Sequence, residues 1–428
     1  MADPKSSPAT WLSRLVGRRR PARPAISAYL SIFNDWDLLA PALAALAPHV
    51  EELVVVDGAY GWMVPYLARL GIAPERSDAR VYEALAASGI PFRVVSGRWA
   101  HEIDKRRAGY EACRNRYALR VDADEILHVD EAALAEFFAS GAAVAEMENP
   151  TYVAPGFVQG DEDRGQLPRT GCLFDRDQVS ADVHLNYIWL VLTKDELPSA
   201  GQKPFPVFER KIAFSAHLTG WRTPDTAEQR SAFYALNRLR KTGVGWFEDL
   251  KGRPLEDFEP LFSRVSAHSF RNMLRHARFS LGTFSLSAGQ TLARSPLGAE
   301  QEAAFAPLYE RFLESLAQDN IAAGTTAQAF GWGGDVFLDL SSPAAYDALV
   351  REGYISVEFS SPVSSLEAKA HLLAQSAPHC RETPLVVTID GARARLEAPP
   401  RPDRDALRLA LSMRPTGGDG PLGDFRIL

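Results

Sequence analysis

The stretch "RYALRVDADEILHV", residues 116–129, joins an apolar run to three carboxylates, Asp122, Asp124 and Glu125. Close carboxylates repel each other unless solvent, a cation or hydrogen bonds offset the repulsion. Alternate residues of an extended segment point to the same side, so Asp122 and Asp124 can face one cation. Hard divalent ions take oxygen ligands and often bind through one or two carboxylates together with substrate phosphates. The stretch therefore predicts a buried strand that ends at a cation site.

Other strand patterns precede this stretch, and helical patterns alternate with them. The β-prone runs are 25–35, 51–58 and 91–97, and the helical patterns are 38–50, 79–90 and 101–118. This alternation predicts an α/β fold in which a mixed, mainly parallel sheet has helices on its faces. In open sheets of this kind, ligands bind outside the carboxyl ends of the strands. Asp57 and the Asp122 cluster both follow strand patterns at such ends, so we expect one site there.

Changes in composition predict the domain organisation. The basic leader, residues 1–24, is interpreted as a solvated segment, and the alternative is a short amphipathic contact with an anionic membrane surface. The last section has short strand patterns, with Asp390-Gly391 predicting a hairpin turn. The predicted sections are the leader 1–24, the α/β domain 25–225, a helical region 226–330 and a small β-rich domain 331–428.

The composition limits the class of protein. With 428 residues, 46% hydrophobic and 24% charged, the chain is expected to be a globular protein of two or three domains. The net charge of −7 argues against a general nucleic-acid binder. Three scattered cysteines provide neither a disulfide framework nor zinc-ligand spacing, which fits a reducing, cytoplasmic location. No apolar run approaches the roughly 20 residues that span a bilayer.

Over about residues 25–225 the chain resembles the family 2 glycosyltransferases of the GT-A fold. No single motif carries this resemblance, and it depends on the order and spacing of four segments. They are "YLSIFND" (29–35), "VVVDGAYG" (54–61), "DKRRAGYEACRNRYA" (104–118) and "LRVDADEIL" (119–127).

The resemblance implies a donor site for a nucleotide-sugar, with a UDP-sugar as the default, and transfer with inversion. It implies that Asp122 and Asp124 hold a divalent metal, Mn²⁺ or Mg²⁺, on the diphosphate. It places Asp57 against the nucleotide base and Lys105 or Arg106 near the nucleotide. Such a metal would compensate the charge that develops on the leaving diphosphate.

Four residues further along the chain complete the predicted site. The resemblance suggests His217 as a third metal ligand or diphosphate contact, and a hydrogen-bonded histidine at a strand end is the open alternative. His184 matches a family segment in which an acid follows the histidine, but Leu185 follows it here. We therefore predict Asp182, which would share a strand face with His184, as the catalytic base. Asp177, Asp195 and Glu196 are the open alternatives. Arg222 is a candidate diphosphate contact because arginine binds phosphate oxygens bidentately.

These inferences predict a metal-dependent inverting glycosyltransferase, of hexosyltransferase type, whose acceptor is an unidentified glycan, lipid, protein or small molecule. Residues after 226 would shape the acceptor site, hold subunits together or bind glycan. One alternative is a nucleotidyltransferase of similar sheet topology, against which the acidic "SIFNDWD" (31–37) counts. The other is a non-catalytic carbohydrate-binding or scaffold protein, against which the intact "DAD" (122–124) counts.

Overall fold

The structure is a computed structural model, and it divides the chain into two compact units. The described residues are 23–100, 102–161, 167–181, 206–223, 226, 229–230, 233, 290–319, 326–328, 336–339, 354–359, 362–374, 381–397, 406–416 and 424–427. Those of the first unit fall within 1–61, 73–150 and 168–218, and those of the second within 62–72, 151–167 and 219–428. The first unit thus ends at Leu218, whereas the predicted α/β domain extends to 225. The predicted domain boundaries remain predictions.

The first unit is built on one mixed sheet. The strands up to residue 217 are β1 Ile26–Ile32, β2 Glu52–Asp57, β3 Phe92–Ser96, β4 Tyr117–Val121, β5 Glu125–Val129, β6 Val144–Glu148, β7 Tyr152–Ala154, β8 Phe157–Asp161, β9 Arg169–Asp175 and β10 Val207–His217. All but β7 and β8 form the sheet, in the order β3-β2-β1-β4-β9-β6-β10-β5. Strands β3, β2, β1 and β4 run parallel to one another. Strand β9 runs antiparallel to β4 and β6, and β5 runs antiparallel to β10. The predicted fold class, a mixed and mainly parallel sheet with flanking helices, is confirmed.

Helices cover both faces of this sheet. Successive side chains of each strand point to opposite faces and therefore pack against different helices. The helices in this part of the chain are α1 Leu39–Leu46, α2 Val64–Arg69, α3 Ala79–Ala87, α4 Glu102–Ala112 and α5 Glu131–Ser140, of which α2 belongs to the second unit. Leu30 of β1 packs in a core cluster with residues of α1, α3 and α5. Its neighbour Tyr29 packs in the opposite cluster with Tyr110 of α4. Strands buried on both faces explain the continuous apolar runs in the sequence.

Acidic residues fix where two of these helices begin. Asp78 precedes α3 and accepts a hydrogen bond from the Arg80 amide at 3.0 Å. Asp130 precedes α5 and accepts from the amides of Ala132 and Ala133, both at 3.0 Å. Each cap satisfies amides that have no partner within the helix. The α3 cap also fixes the chain close to the carboxyl edge of the sheet, where the candidate site lies.

The described part of the second unit contains α2, further helices and antiparallel sheets. Its remaining elements are β11 Gln290–Arg294, α6 Ala299–Ala303, α7 Ala306–Asp319, β12 Thr326–Gln328, β13 Val336–Asp339, β14 Tyr354–Phe359, β15 Leu366–Ala374, β16 Arg381–Pro384, β17 Val387–Asp390, β18 Arg393–Glu397, β19 Ala406–Pro415 and β20 Asp424–Ile427. The sheets are β11-β8-β7, β12-β20-β14-β18-β17 and β13-β19-β15-β16. The hairpin predicted at Asp390-Gly391 is confirmed, and Gly391 has a φ of +61° there. Most of the predicted helical region lies outside the described residues.

The described residues bear on two further predictions, the absence of a membrane span and the solvated basic leader. No helix among the described residues is long and apolar enough to cross a membrane. The basic leader lies outside the described residues except for its last two positions. Of these, Arg23 pairs with Glu131 at 3.1 Å and donates a 2.7 Å hydrogen bond to the Pro48 carbonyl.

Candidate functional site

The carboxyl ends of β2, β1 and β4 lie side by side in the sheet. Ile32 at the end of β1 is in register with Asp57 at the end of β2. Leu30 of β1 is in register with Val121, the last residue of β4. Because neighbouring strands are about 4.8 Å apart, the ends of β2 and β4 are separated by about 10 Å across the sheet. The topology therefore brings the two predicted acidic strand ends to one edge.

The Asp57 carboxylate is fully buried and accepts hydrogen bonds from four protein donors. Oδ1 accepts from the Gly58 amide at 2.6 Å and from the Ser77 hydroxyl at 2.6 Å. Oδ2 accepts from the Ser77 amide at 2.9 Å and from the Tyr82 hydroxyl. The hydroxyl of Ser77 also accepts a 2.9 Å bond from the Asn34 amide. Asp57 thus joins the loops that follow β1 and β2 to the start of α3, and its contact with a nucleotide base stays a prediction.

Lys105 is buried beside the same strand ends, with 2% of its surface exposed. Its Nζ donates 2.7 Å hydrogen bonds to the carbonyls of Ile32 and Gly58. It also lies 5.4 Å from the centre of the Tyr60 ring. The side chain is directed at backbone oxygens within the protein, and a direct contact between Lys105 and the nucleotide stays a prediction.

The first carboxylate of the Asp-Ala-Asp motif is held by two buried arginines. Arg106 Nη2 lies 3.1 Å from Asp122 Oδ1, and Arg120 Nη1 lies 3.2 Å from Asp122 Oδ2. Arg106 also pairs with Glu102 one helical turn earlier, at 3.1 Å. Burial raises the pKa of Asp122, but the two guanidinium groups outweigh it and lower that pKa to about 2. Asp122 is therefore ionised and firmly oriented.

Glu125 closes the turn that carries the motif. Its carboxylate accepts hydrogen bonds from Arg120 at 3.1 Å, from the Asn149 amide at 2.8 Å and from the Asp122 backbone amide at 3.2 Å. Burial raises the pKa of Glu125, and the attraction of Arg120 offsets this only in part. Glu125 thus fixes the turn from inside.

Asp124 and His217 meet at the end of the paired strands β5 and β10. His217 is in register with Glu125, and the amide of Leu218 donates a 2.8 Å hydrogen bond to the Asp124 carbonyl. This pairing leaves His217 Nε2 3.4 Å from Asp124 Oδ2. Burial alone would lower the pKa of His217, but the Asp124 carboxylate outweighs it and raises that pKa. The predicted neighbours in the metal site are therefore close together in the fold.

The donor atoms at this turn fit a divalent cation that a substrate helps to bind. Adjacent ligands of an octahedral cation with bonds of about 2.1 Å are about 3 Å apart, close to the Asp124–His217 separation. Among the described residues, no group of three His, Cys, Asp or Glu side chains is arranged to hold a metal by itself. Mg²⁺-type sites commonly use one or two carboxylates and take further ligands from phosphate and water. Asp124 and His217 are the candidate ligands. The sequence resemblance also implies Asp122 as a metal ligand, and this role stays a prediction.

Three predicted site residues, Arg222, Asp182 and His184, are not among the described residues of the first unit. Arg222 is buried and belongs to the second unit. Asp182 and His184 lie outside the described residues, so the predicted catalytic base stays a prediction.

A cavity of about 540 Å³ adjoins the Asp57 network and is lined by Arg76, Ser77, Ala79, Tyr82, Glu83 and Ala86.

The sequence matches no protein-family model and no curated protein. Among solved structures, S. aureus TarS aligns at 9% identity and a TM-score of 0.29, covering 87% of this chain and 71% of TarS. Glucosyl-3-phosphoglycerate synthase from Mycobacterium tuberculosis, in complex with Mn²⁺, UDP and glucosyl-3-phosphoglycerate, aligns at 14% identity and a TM-score of 0.28, covering 57% and 89%. In another structure of that synthase the match covers 35% of this chain and 50% of that protein. Likenesses of this size carry no weight for function, which we infer from the chain's own side chains.

Sequence reasoning missed the residues that hold the predicted ones in place. Arg120 carried a signal, because a charged side chain in a strand buried on both faces needs a buried partner. Ser77, Tyr82 and Asn149 carried none, since each is an ordinary polar residue in a loop or helix. Their roles follow from the tertiary fold alone.

Proposed function

We propose that this chain is a glycosyltransferase that takes a nucleotide-sugar, with a UDP-sugar as the first donor to test, and uses Mn²⁺ or Mg²⁺. The observation that carries the proposal is the Asp124–His217 pair at the carboxyl edge of the sheet, next to an ionised Asp122. The loops after β1 and β2 lie along the same edge and are fixed by Asp57 and Lys105. An α/β sheet binds ligands at this edge.

In the proposed reaction, the nucleoside diphosphate leaves the anomeric carbon of the donor as the acceptor hydroxyl attacks. A bound divalent cation would supply charge compensation for the leaving diphosphate. Asp124 and His217 would hold that cation, and Glu125 and Arg120 would keep the turn in place without contacting substrate. The acceptor hydroxyl needs a general base, for which Asp182 is our candidate, and an attack from the opposite face would invert the anomeric configuration. Transfer of a hexose is the corresponding proposal for the donor sugar.

The proposed function is tested with a panel of nucleotide-sugars in the presence and absence of Mn²⁺. A glycosyltransferase should hydrolyse at least one of them slowly and release the nucleoside diphosphate, and EDTA should stop the release. A nucleotidyltransferase would release pyrophosphate from a nucleoside triphosphate, and a scaffold protein would release neither. If no donor is hydrolysed and none changes the melting temperature with Mn²⁺ present, the proposed function is wrong.

The Asp124→Asn variant makes this test specific to the site. It keeps the side-chain volume but removes the charge that faces His217, so metal-dependent hydrolysis should be lost while the protein still folds. Glu136→Gln is the matched control, because that carboxylate is 54% exposed on the same unit and pairs with Arg210 outside the proposed site. Equal hydrolysis by Asp124→Asn and the wild type would rule out Asp124 as a required ligand.

A further inference from the structure

We propose that Lys105 is a positioning residue for the donor site, which fixes the loops after β1 and β2 and so shapes the surface that receives a nucleoside diphosphate. The identity of that ligand rests on the proposed function, whereas the effect of Lys105 on the loops does not. The predicted role for this lysine was a direct contact with the nucleotide. Its burial and its two backbone acceptors favour a role that acts through the loops instead.

The two acceptors of Lys105 lie where the two loops leave the sheet. Ile32 ends β1, and Gly58 follows Asp57 at the end of β2, so the ammonium group bridges adjacent strand ends. Hydrogen bonds from a charged donor are roughly twice as strong as neutral ones, and burial strengthens them further. The bridge therefore opposes separation of the two loops at the point where each leaves the sheet.

Both loops contain backbone conformations that need support from the surrounding structure. Gly58 has a φ of +106°, and a Cβ at that position would lie 1.9 Å from the Gly97 carbonyl oxygen. Asn34, two residues after Ile32, has a φ of +53°, which is uncommon for a residue with a side chain. Its Oδ1 accepts a 2.7 Å hydrogen bond from the Asp78 amide. Conformations of this kind persist only where several contacts determine them together.

The reach of Lys105 depends on how closely α4 approaches the sheet. Gly109 lies one helical turn further along, on the same side of α4 as Lys105. A Cβ at Gly109 would lie 2.9 Å from Tyr29 Cδ2 and 2.9 Å from Val56 Cγ2. The glycine thus lets the helix lie directly against β1 and β2. The next residue after the lysine, Arg106, binds Asp122, so one turn of α4 supports both acidic strand ends.

The experiment compares Lys105→Met, Gly109→Ala and the control Lys211→Met with the wild type. Methionine keeps the length of the lysine but has no donor. Gly109→Ala keeps the lysine and should move α4 away from the sheet. Lys211 is a matched control because it pairs with Glu146 at 2.6 Å between two other strands of the same sheet. The measurements are amide hydrogen exchange across 32–38 and 57–61, UDP affinity with Mn²⁺, and the kcat and KM for the donor.

We expect Lys105→Met to exchange faster than the wild type across both loops, and Gly109→Ala to do so to a smaller extent. Loss of two charged hydrogen bonds should weaken UDP binding and raise the donor KM roughly tenfold or more. The kcat at saturating donor should change much less, since Lys105 does not contact the reacting atoms. Lys211→Met should match the wild type in exchange and UDP affinity, even where its melting temperature falls.

The outcomes separate this proposal from the proposed function. Wild-type exchange in both loops of a folded Lys105→Met protein would overturn the proposal, whatever nucleotides do. Faster exchange with unchanged UDP affinity would overturn the donor-site role of the lysine. Faster exchange in a protein whose wild type binds no nucleotide would support the role in the loops and overturn the proposed function. If Lys105→Met does not fold, Gly109→Ala decides by the same measurements.

Discussion

Replacement of Asp57 by asparagine tests whether this residue organises the site or contacts a ligand. Each carboxylate oxygen accepts one backbone N–H, Oδ1 from Gly58 and Oδ2 from Ser77. An asparagine can keep only one of these acceptors, because its NH₂ group occupies the place of the other oxygen. In either orientation the NH₂ therefore faces a backbone amide that cannot rotate away.

The magnitude follows from these contacts. A hydrogen bond to a charged group contributes about 1.5–3 kcal/mol, and a buried donor without a partner costs about 1–3 kcal/mol more. Together they predict that Asp57→Asn lowers the free energy of unfolding by about 2.5–6 kcal/mol. For a unit of this size, each kcal/mol corresponds to about 2–4 °C, so the melting temperature should fall by roughly 5–24 °C. Tyr82→Phe removes one of the four donors and should cost about 1.5 kcal/mol, the lower end of the range for a charged hydrogen bond, because the Tyr82 hydroxyl is only partly buried.

The assay is thermal unfolding without nucleotide, followed by circular dichroism, with Tyr82→Phe as the graded control. A contact residue would behave differently, because removing its charge leaves the free protein almost unchanged and weakens only the complex. An Asp57→Asn protein that melts within a degree or two of the wild type, yet binds UDP more weakly, would refute the organising role.

Three further predictions concern other contacts. Because the pKa of Asp122 is lowered in the folded protein, its ionised carboxylate stabilises the fold at a pH above the ordinary carboxyl pKa near 4. This stabilisation is lost as the pH falls toward about 2, and Asp122→Asn should flatten that part of the curve of unfolding free energy against pH. Asp130→Ala removes the two-amide cap of α5 and should cost about 1 kcal/mol in chemical denaturation. Glu302 accepts a 2.7 Å hydrogen bond from Tyr152 and a 2.6 Å bond from the Gly156 amide, so Glu302→Ala should lower the melting temperature of the second unit more than Tyr152→Phe does.

The sequence predicted the sheet of the first unit well because its signals are local. The apolar run that contains Val54, Val55 and Val56 became a strand with all three side chains fully buried. The acidic cluster that begins at Asp122 follows β4, and Asp57 ends β2. Both lie at one edge of the sheet, as the α/β alternation predicts. Such predictions need only the period of the apolar residues and the direction of parallel strands.

The direction of each side chain at that edge was beyond prediction, since it depends on partners far away in the sequence. The pairing of β10 with β5 sets His217 beside Asp124, and no local pattern specifies that register. Ser77 and Tyr82 donate to the Asp57 carboxylate, and no local pattern in the sequence identifies these two donors. A strand end predicts where a carboxylate lies, and only the fold shows what it faces.

The arginines explain how three carboxylates remain close together at the turn. Arg106 and Arg120 both contact Asp122, and Arg120 also contacts Glu125, so the arginines offset these two charges. The third carboxylate, Asp124, lies beside His217. Removing one partner of a buried ion pair typically costs about 3–5 kcal/mol, so this arrangement strongly resists change. Asp122 and Glu125 are therefore held by protein partners, and Asp124 with His217 is the pair that we propose for the cation. The acidic cluster that marks the sequence is thus divided between residues that hold the turn and residues that face the site.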